Sequence, residues 1–222
     1  NRIRVLIPQE LLDCRSTIRL ALQRIAQQQV ETCWSDAGLA APPEWAQCGD
    51  ADYAGGTVLS LGYEVRLRAA PSELWEPLMR VGGRTGWYFG NYLWKLRGLL
   101  DRLAGGVGLR RGRRHPEQLQ VGDALDFFRV LDLSPHRRLL LLAEMKLPGE
   151  ATLEFRLSPE GHGEMELTML ARFLPRGLGG LAYWYLLSPF HRRIYQGMLR
   201  AIAAAADAAI VYGPQRLGQG KK

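Results

Sequence analysis

Lysine is almost absent from this basic chain. The formal net charge is +7, yet only Lys95, Lys146, Lys221 and Lys222 are lysines, and arginine supplies the rest of the 29 basic residues. A positive balance suits nucleic acid or another anionic partner. Here it travels with abundant alanine and glycine, which reads as coding bias in a GC-rich bacterial genome. RNA-recognition aromatic motifs and zinc-finger spacings are both missing, so no nucleic-acid partner is expected. Cysteine is scarce: Cys14, Cys33 and Cys48 are widely spaced and form no CxxC pair. That pattern excludes a disulfide framework and a zinc site, and it fits a reducing cytoplasm. Cys14 falls on a predicted helix and is expected in its core. No apolar run reaches about 18 residues, which excludes a transmembrane helix, and no membrane partner is expected. The opening "NRIRVLIPQELLD" has neither an initiator Met nor an apolar h-region. It is not a signal peptide and reads as part of a longer chain.

What is present is enough for one good core: 222 residues with 47% hydrophobic content. Asp13 can cap a helix from Cys14 to about Gln28, with Ile18, Ala21, Leu22 and Ile25 in helical period. "VETCWS" reads as extended, and residues 36–56, with two prolines and four glycines, read as a linker. A strand is predicted over 57–69, a helix from Pro71, and a second helix over 91–106 with Tyr92, Leu96, Leu99 and Leu103 as its stripe. Strands over 123–133, 137–147, 150–157 and 163–174 follow, joined by hairpin-type connections. Leu153, Phe155 and Leu157 alternate with polar residues, as do Met165, Leu167, Met169, Ala171 and Phe173. The meander therefore has one buried face. A long helix, 178–209, would cover it, with Leu187, His191, Ile194, Met198 and Ile202 on one side and a kink or break near Ser188 before Pro189. Residues 210–222 read as a disordered polar tail. A sheet gripping a helix leaves room for a ligand between them.

Four strings, "GWYFGNYLWKLRGLLDRLAGGVGLRRGRRHP", "LQVGDALDFFRV", "AEMKLPGEATLEF" and "ARFLPRGLGGLAYWYLLSPFH", resemble a domain family of unknown function. That family lies C-terminal to NAD(P)-binding domains of the atypical short-chain-dehydrogenase type. It is grouped with the START-like, polyketide-cyclase-like helix-grip superfamily. The resemblance spans about 57–205. It implies an α+β fold, with a curved antiparallel sheet wrapped around a long C-terminal helix, and a dehydrogenase-like domain in cis. Residues 1–35 resemble the tail of such a domain. NAD(P) is implied for that preceding domain and no cofactor for this chain, since no strand leads into a GxGxxG near the start. The resemblance supplies no catalytic residues and leaves the oligomeric state open.

The candidate residues come from the sequence itself. Asp126, in "ALDFF", shares a face with Ala124, Phe128 and Val130 by counting in twos. Pointed inward, it would be an acid/base or a ligand anchor, or else half of a buried ion pair with Arg97 or Arg176; the opposite register would turn it out. Glu144 is expected to face away from the helix and meet a surface arginine. His191, on the inner face of the long helix, is either a hydrogen-bonded structural residue or a second acid/base. No histidine stands at metal-ligand spacing from another, and His115, His136 and His162 fall in predicted loops. Trp87, Tyr88, Trp94, Phe128, Tyr183 and Trp184 are either core or the wall of a site for an apolar or aromatic small molecule. Arg176, before the long helix, either binds an anionic group with that helix's first amides or meets a surface carboxylate. Ser60, Ser72, Ser134 and Ser158 have no nucleophile-elbow context. "GGVGLRRGRR", 105–114, follows a helix and lacks both the third glycine of GxGxxG and the Lys-Ser/Thr of a P-loop. Its arginines are expected on an exposed loop or edge strand, facing either solvent or the phosphates of a cofactor held by the preceding domain.

Overall fold

The computed structural model describes residues 12–26, 45, 57–109 and 113–217. The predicted linker apart from Trp45, "VETCWS", Arg110, Arg111, Gly112 and residues 218–222 lie outside them. The chain divides into two compact units, Asn1–Cys33 and Trp34–Lys222. In the first, helix α1 (Cys14–Ala26) begins at Asp13, whose carboxylate accepts from the amides of Arg15 at 3.1 Å and Ser16 at 3.3 Å. This is the N-cap expected of aspartate. Cys14 is exposed rather than in a core.

The second unit is α+β. Strand β1 (Leu59–Arg68) leads into helices α2 (Pro71–Met79) and α3 (Asn91–Leu103). Strands β2 (Ala124–Leu125), β3 (Phe128–Ser134), β4 (Arg138–Ala143), β5 (Gly149–Gly161) and β6 (Glu164–Pro175) form the meander. Helix α4 (Gly177–Ala205) and strand β7 (Ala209–Arg216) complete it. The seven strands make one antiparallel sheet in the order β2-β3-β4-β5-β6-β1-β7. Alternation dictates its faces. Leu153, Phe155 and Leu157 pair with Ala171, Met169 and Leu167 and are buried under α4. From the helix, Met198, Leu199 and Ile202 press back with no exposure. Each such side chain contributes about 1.5–3 kcal/mol by leaving water. On the other face Glu154 is buried among arginines, accepting from Arg138 at 2.9 Å and Arg156 at 2.7 Å.

Four expectations change. The strand predicted over 123–133 is two strands, because Asp126 takes the left-handed conformation (φ 55°) and turns the chain. Both faces of this segment are buried, so neither register expected for Asp126 holds. The apolar stripe of α3 faces outward: Tyr92, Leu96, Leu99 and Leu103 are exposed, and the inner side carries Gly98 and Asp101. Helix α4 runs through Pro189 without interruption and stops at Ala205. Finally, 209–216 is not a disordered tail. It pairs with β1 and shields that strand's edge.

Candidate functional site

Helix α4 packs chiefly on β6, β1 and β7. Helix α3 stands opposite. Between the two helices and strands β3–β6 lies a cavity of about 260 Å³. Its walls are apolar because they are the alternating inner positions of the meander, Phe128, Ala143, Leu153 and Phe173, met by Trp94 from α3 and Trp184 from α4. Trp184 lies flat on Phe173, with ring centroids 5.7 Å apart and planes at 2°. Stacking of this kind fixes both rings and adds about 0.5–1.5 kcal/mol.

His191 interrupts this wall with a polar ring, and Arg97, Thr152 and Arg172 also reach the lining. The His191 ring stacks on Tyr195 at 5.4 Å and lies tilted to Trp184 at 6.4 Å. Burial holds its imidazolium down, to a pKa of about 4. The ring is therefore neutral at physiological pH. Its Nδ1 is buried without a hydrogen-bond partner. Burial also pushes the Tyr195 hydroxyl up, and Tyr183 beside it adds to the effect.

The predicted site residues divide in two. Trp94, Phe128, Tyr183, Trp184 and His191 line the cavity together. Trp87, Tyr88, Asp126 and Arg176 are not part of its lining. Trp87 stands behind it, 5.2 Å from Trp94 and 4.9 Å from Phe128. The Tyr88 hydroxyl donates to the carbonyl of Pro77 at 2.9 Å. Asp126 is buried, but its partners are the indole N–H of Trp87 at 3.0 Å and the amide of Gly83 at 3.1 Å, not Arg97 or Arg176. Desolvation raises its pKa, against those two hydrogen bonds and the nearby charge of Arg113. It staples the loop before α3 to the β2–β3 turn. Arg176 is exposed at the N-cap of α4, where its own amide donates to the carbonyl of Pro148 at 2.9 Å. Glu144 meets a buried arginine rather than a surface one: Arg129 Nε lies 2.7 Å away.

Tyr195 and Met145 line the cavity and escaped the sequence reading. Tyr195 follows His191 by one helical turn, so the i,i+4 spacing carried that signal. Met145 lies beyond the end of β4, where period two no longer applies.

The glycine-arginine segment has an internal purpose. Asp101 is fully buried at the end of α3, with Oδ2 2.7 Å from the amide of Gly108 and Oδ1 2.6 Å from the amide of Lys146. A Cβ on Gly106 would sit 2.3 Å from that carboxylate. The glycines let the chain close around Asp101. Since the Gly108 amide already serves a carboxylate, it makes no cradle for a cofactor phosphate. Arg113 bonds to the carbonyls of Met79, Val81 and His115, and Arg114 pairs with Asp123 at 2.8 Å. These two arginines hold the fold together and do not decorate an edge.

A family model described as "Protein of unknown function (DUF2867)" matches residues 53–198. The chain belongs to this family. No curated protein matches the DUF2867 chain. Among solved structures it is similar to PFC0360w, an HSP90 activator from Plasmodium falciparum, at 11% identity and a TM-score of 0.40, covering 70% of this chain and 99% of that one. It is similar to the ZhuI aromatase/cyclase from Streptomyces sp. R1128 at 14% identity and a TM-score of 0.39, covering 68% and 94%. CalU16 from Micromonospora echinospora is similar at 16% identity and a TM-score of 0.35, covering 71% and 89%. The helix-grip assignment of the DUF2867 fold rests on its own strand order and on the long helix across the sheet.

Proposed function

We propose that the domain binds an apolar or amphipathic small molecule between α3, α4 and the sheet. We further propose that it serves as an accessory to a dehydrogenase-like domain preceding it in the parent polypeptide. The observation that carries the first part is the cavity of about 260 Å³, walled mainly by aromatic and aliphatic side chains and interrupted by His191, Arg97, Thr152 and Arg172. Pockets of this make-up hold ligands by burial and orient them with a few polar groups. The second part is supported by the sequence resemblance. Any NAD(P) would belong to that preceding domain, as the same resemblance implies.

His191 is proposed as the polar anchor. A group with a pKa of about 4 is a weak base at neutral pH, so hydrogen bonding suits it better than proton abstraction. Asp126, with both hydrogen bonds directed at the protein, is positioned to hold a loop. These two features favour binding over catalysis in the cyclase manner. An anion-binding module is disfavoured by the internal bonds of Arg113 and Arg114.

The expected result is thermal stabilisation by ring compounds of matching size. At a concentration 100-fold above Kd, binding adds about 2.7 kcal/mol, which raises Tm by about 5–10 °C. Native mass spectrometry of the purified chain checks for a retained ligand. No shift across a broad library of apolar and amphipathic rings, together with no retained mass, would refute the reading.

A further inference from the structure

Two helices present apolar stripes to solvent, and the cavity opens between them. On α3 the stripe is Tyr92, Leu96, Leu99, Leu100 and Leu103, spaced i, i+4, i+7, i+8, i+11, with Tyr92 73% and Leu103 77% exposed. On α4 it is Leu178, Tyr185, Leu186 and Phe190, with Leu178 84% and Leu186 72% exposed. Leu96 and Leu100 from one stripe and Phe190 from the other also line the cavity. The stripes thus meet at its mouth. Exposed apolar surface of this extent marks an interaction site.

The charges around it decide the partner. Lys95 and Arg102 flank the α3 stripe, and Arg192, Arg193 and Arg200 carry the outer face of α4 onward; all five are exposed. The only acid on either helix is Asp101, which is fully buried. A second copy would set the same cations against themselves across a two-fold axis. An anionic lipid surface takes both features at once: apolar side chains enter the acyl boundary, tyrosines sit at headgroup depth, and arginines and lysines meet phosphates.

We propose that the face formed by α3 and the first half of α4 docks on an anionic membrane surface. No helix among the described residues is long and apolar enough to cross a membrane, so the contact is peripheral. This docking is tested apart from the ligand reading, since Lys95, Leu99, Arg102 and Leu103 are not among the residues that line the cavity.

The test is co-sedimentation of the full chain with vesicles of phosphatidylcholine alone or mixed with phosphatidylglycerol. Binding is expected only with phosphatidylglycerol and should fall steeply with salt. The double variant Leu99→Asp/Leu103→Asp should weaken partitioning roughly tenfold or more, as should Lys95→Glu/Arg102→Glu. All four residues are exposed, and an unchanged thermal melt confirms an intact fold. Absence of binding to phosphatidylglycerol vesicles overturns the proposal. So does equal binding to both vesicle types, or binding that neither double variant reduces. A concentration-dependent dimer that Leu103→Asp dissolves, with no vesicle binding, assigns the face to a second copy and overturns it as well.

Discussion

Replacing Asp101 with alanine is expected to cost the domain about 3–5 kcal/mol of stability. The carboxylate has no exposed surface and accepts from the amides of Gly108 and Lys146 at 2.7 and 2.6 Å. Removing it leaves two buried amides without an acceptor, each costing about 1–3 kcal/mol. Arg97, 3.8 Å away, loses its carboxylate partner. Asp101→Asn should lose roughly half as much, since one side-chain oxygen still accepts while the amide nitrogen opposes a donor. Urea unfolding of the three proteins measures both differences, and a loss under about 1 kcal/mol for the alanine variant would rule out the account. The effect reaches the site, because Asp101 ties α3, one wall of the cavity, to the chain just after β4 on another.

The second large effect is a pH dependence centred on His191. In the unfolded chain its imidazole titrates near the ordinary 6.5, and in the fold burial lowers this to about 4. Between those values the unfolded state takes up a proton that the folded state refuses. Stability therefore rises with pH across the window. The contribution is fully present above 6.5 and is lost as pH falls toward 4, amounting to roughly 3 kcal/mol. Asp126 acts in the opposite sense: its raised pKa means that the folded state holds its proton more tightly. The comparison must therefore be between the protein and His191→Phe, which keeps a flat ring on Tyr195 and leaves Asp126 untouched. The stability difference between them should shift by roughly 3 kcal/mol between pH 7 and 4. A constant difference, or a His191 ring that titrates near 6.5 by NMR, would dismiss burial as the cause.

The sheet and the long helix could be read from periodicity because one physical requirement acted alone there. β5 and β6 bury one face and expose or charge-pair the other, so period two survives. The inner face of α4 runs through His191, Ile194, Met198 and Ile202 as its spacing predicts. Where two requirements competed, the pattern was lost. Residues 124–131 are buried on both faces, and a left-handed aspartate in the tight turn between β2 and β3 breaks their count, its carboxylate held by Trp87 and Gly83. The stripe of α3 has the spacing of a core face, but spacing does not say which side the core is on. Strand β7 was hidden by its Gly-Pro pair, which sequence rules assign to turns. Of the aromatic candidates, those at inner positions of the sheet or on the facing helices reached the cavity. Trp87 and Tyr88, in the loop between α2 and α3, were turned to other contacts.

Strand β7 brings the end of the domain back to its beginning. Arg216 pairs with Tyr63, and the amide of Leu217 donates to the carbonyl of Gly62 at 3.0 Å, a few residues from where β1 starts at Leu59. Neighbouring ends free the order of synthesis from the order of pairing. A circular permutant, joined from Leu217 to Leu59 by a short glycine linker and opened at His162 in the β5–β6 hairpin, keeps all seven strands and their neighbours.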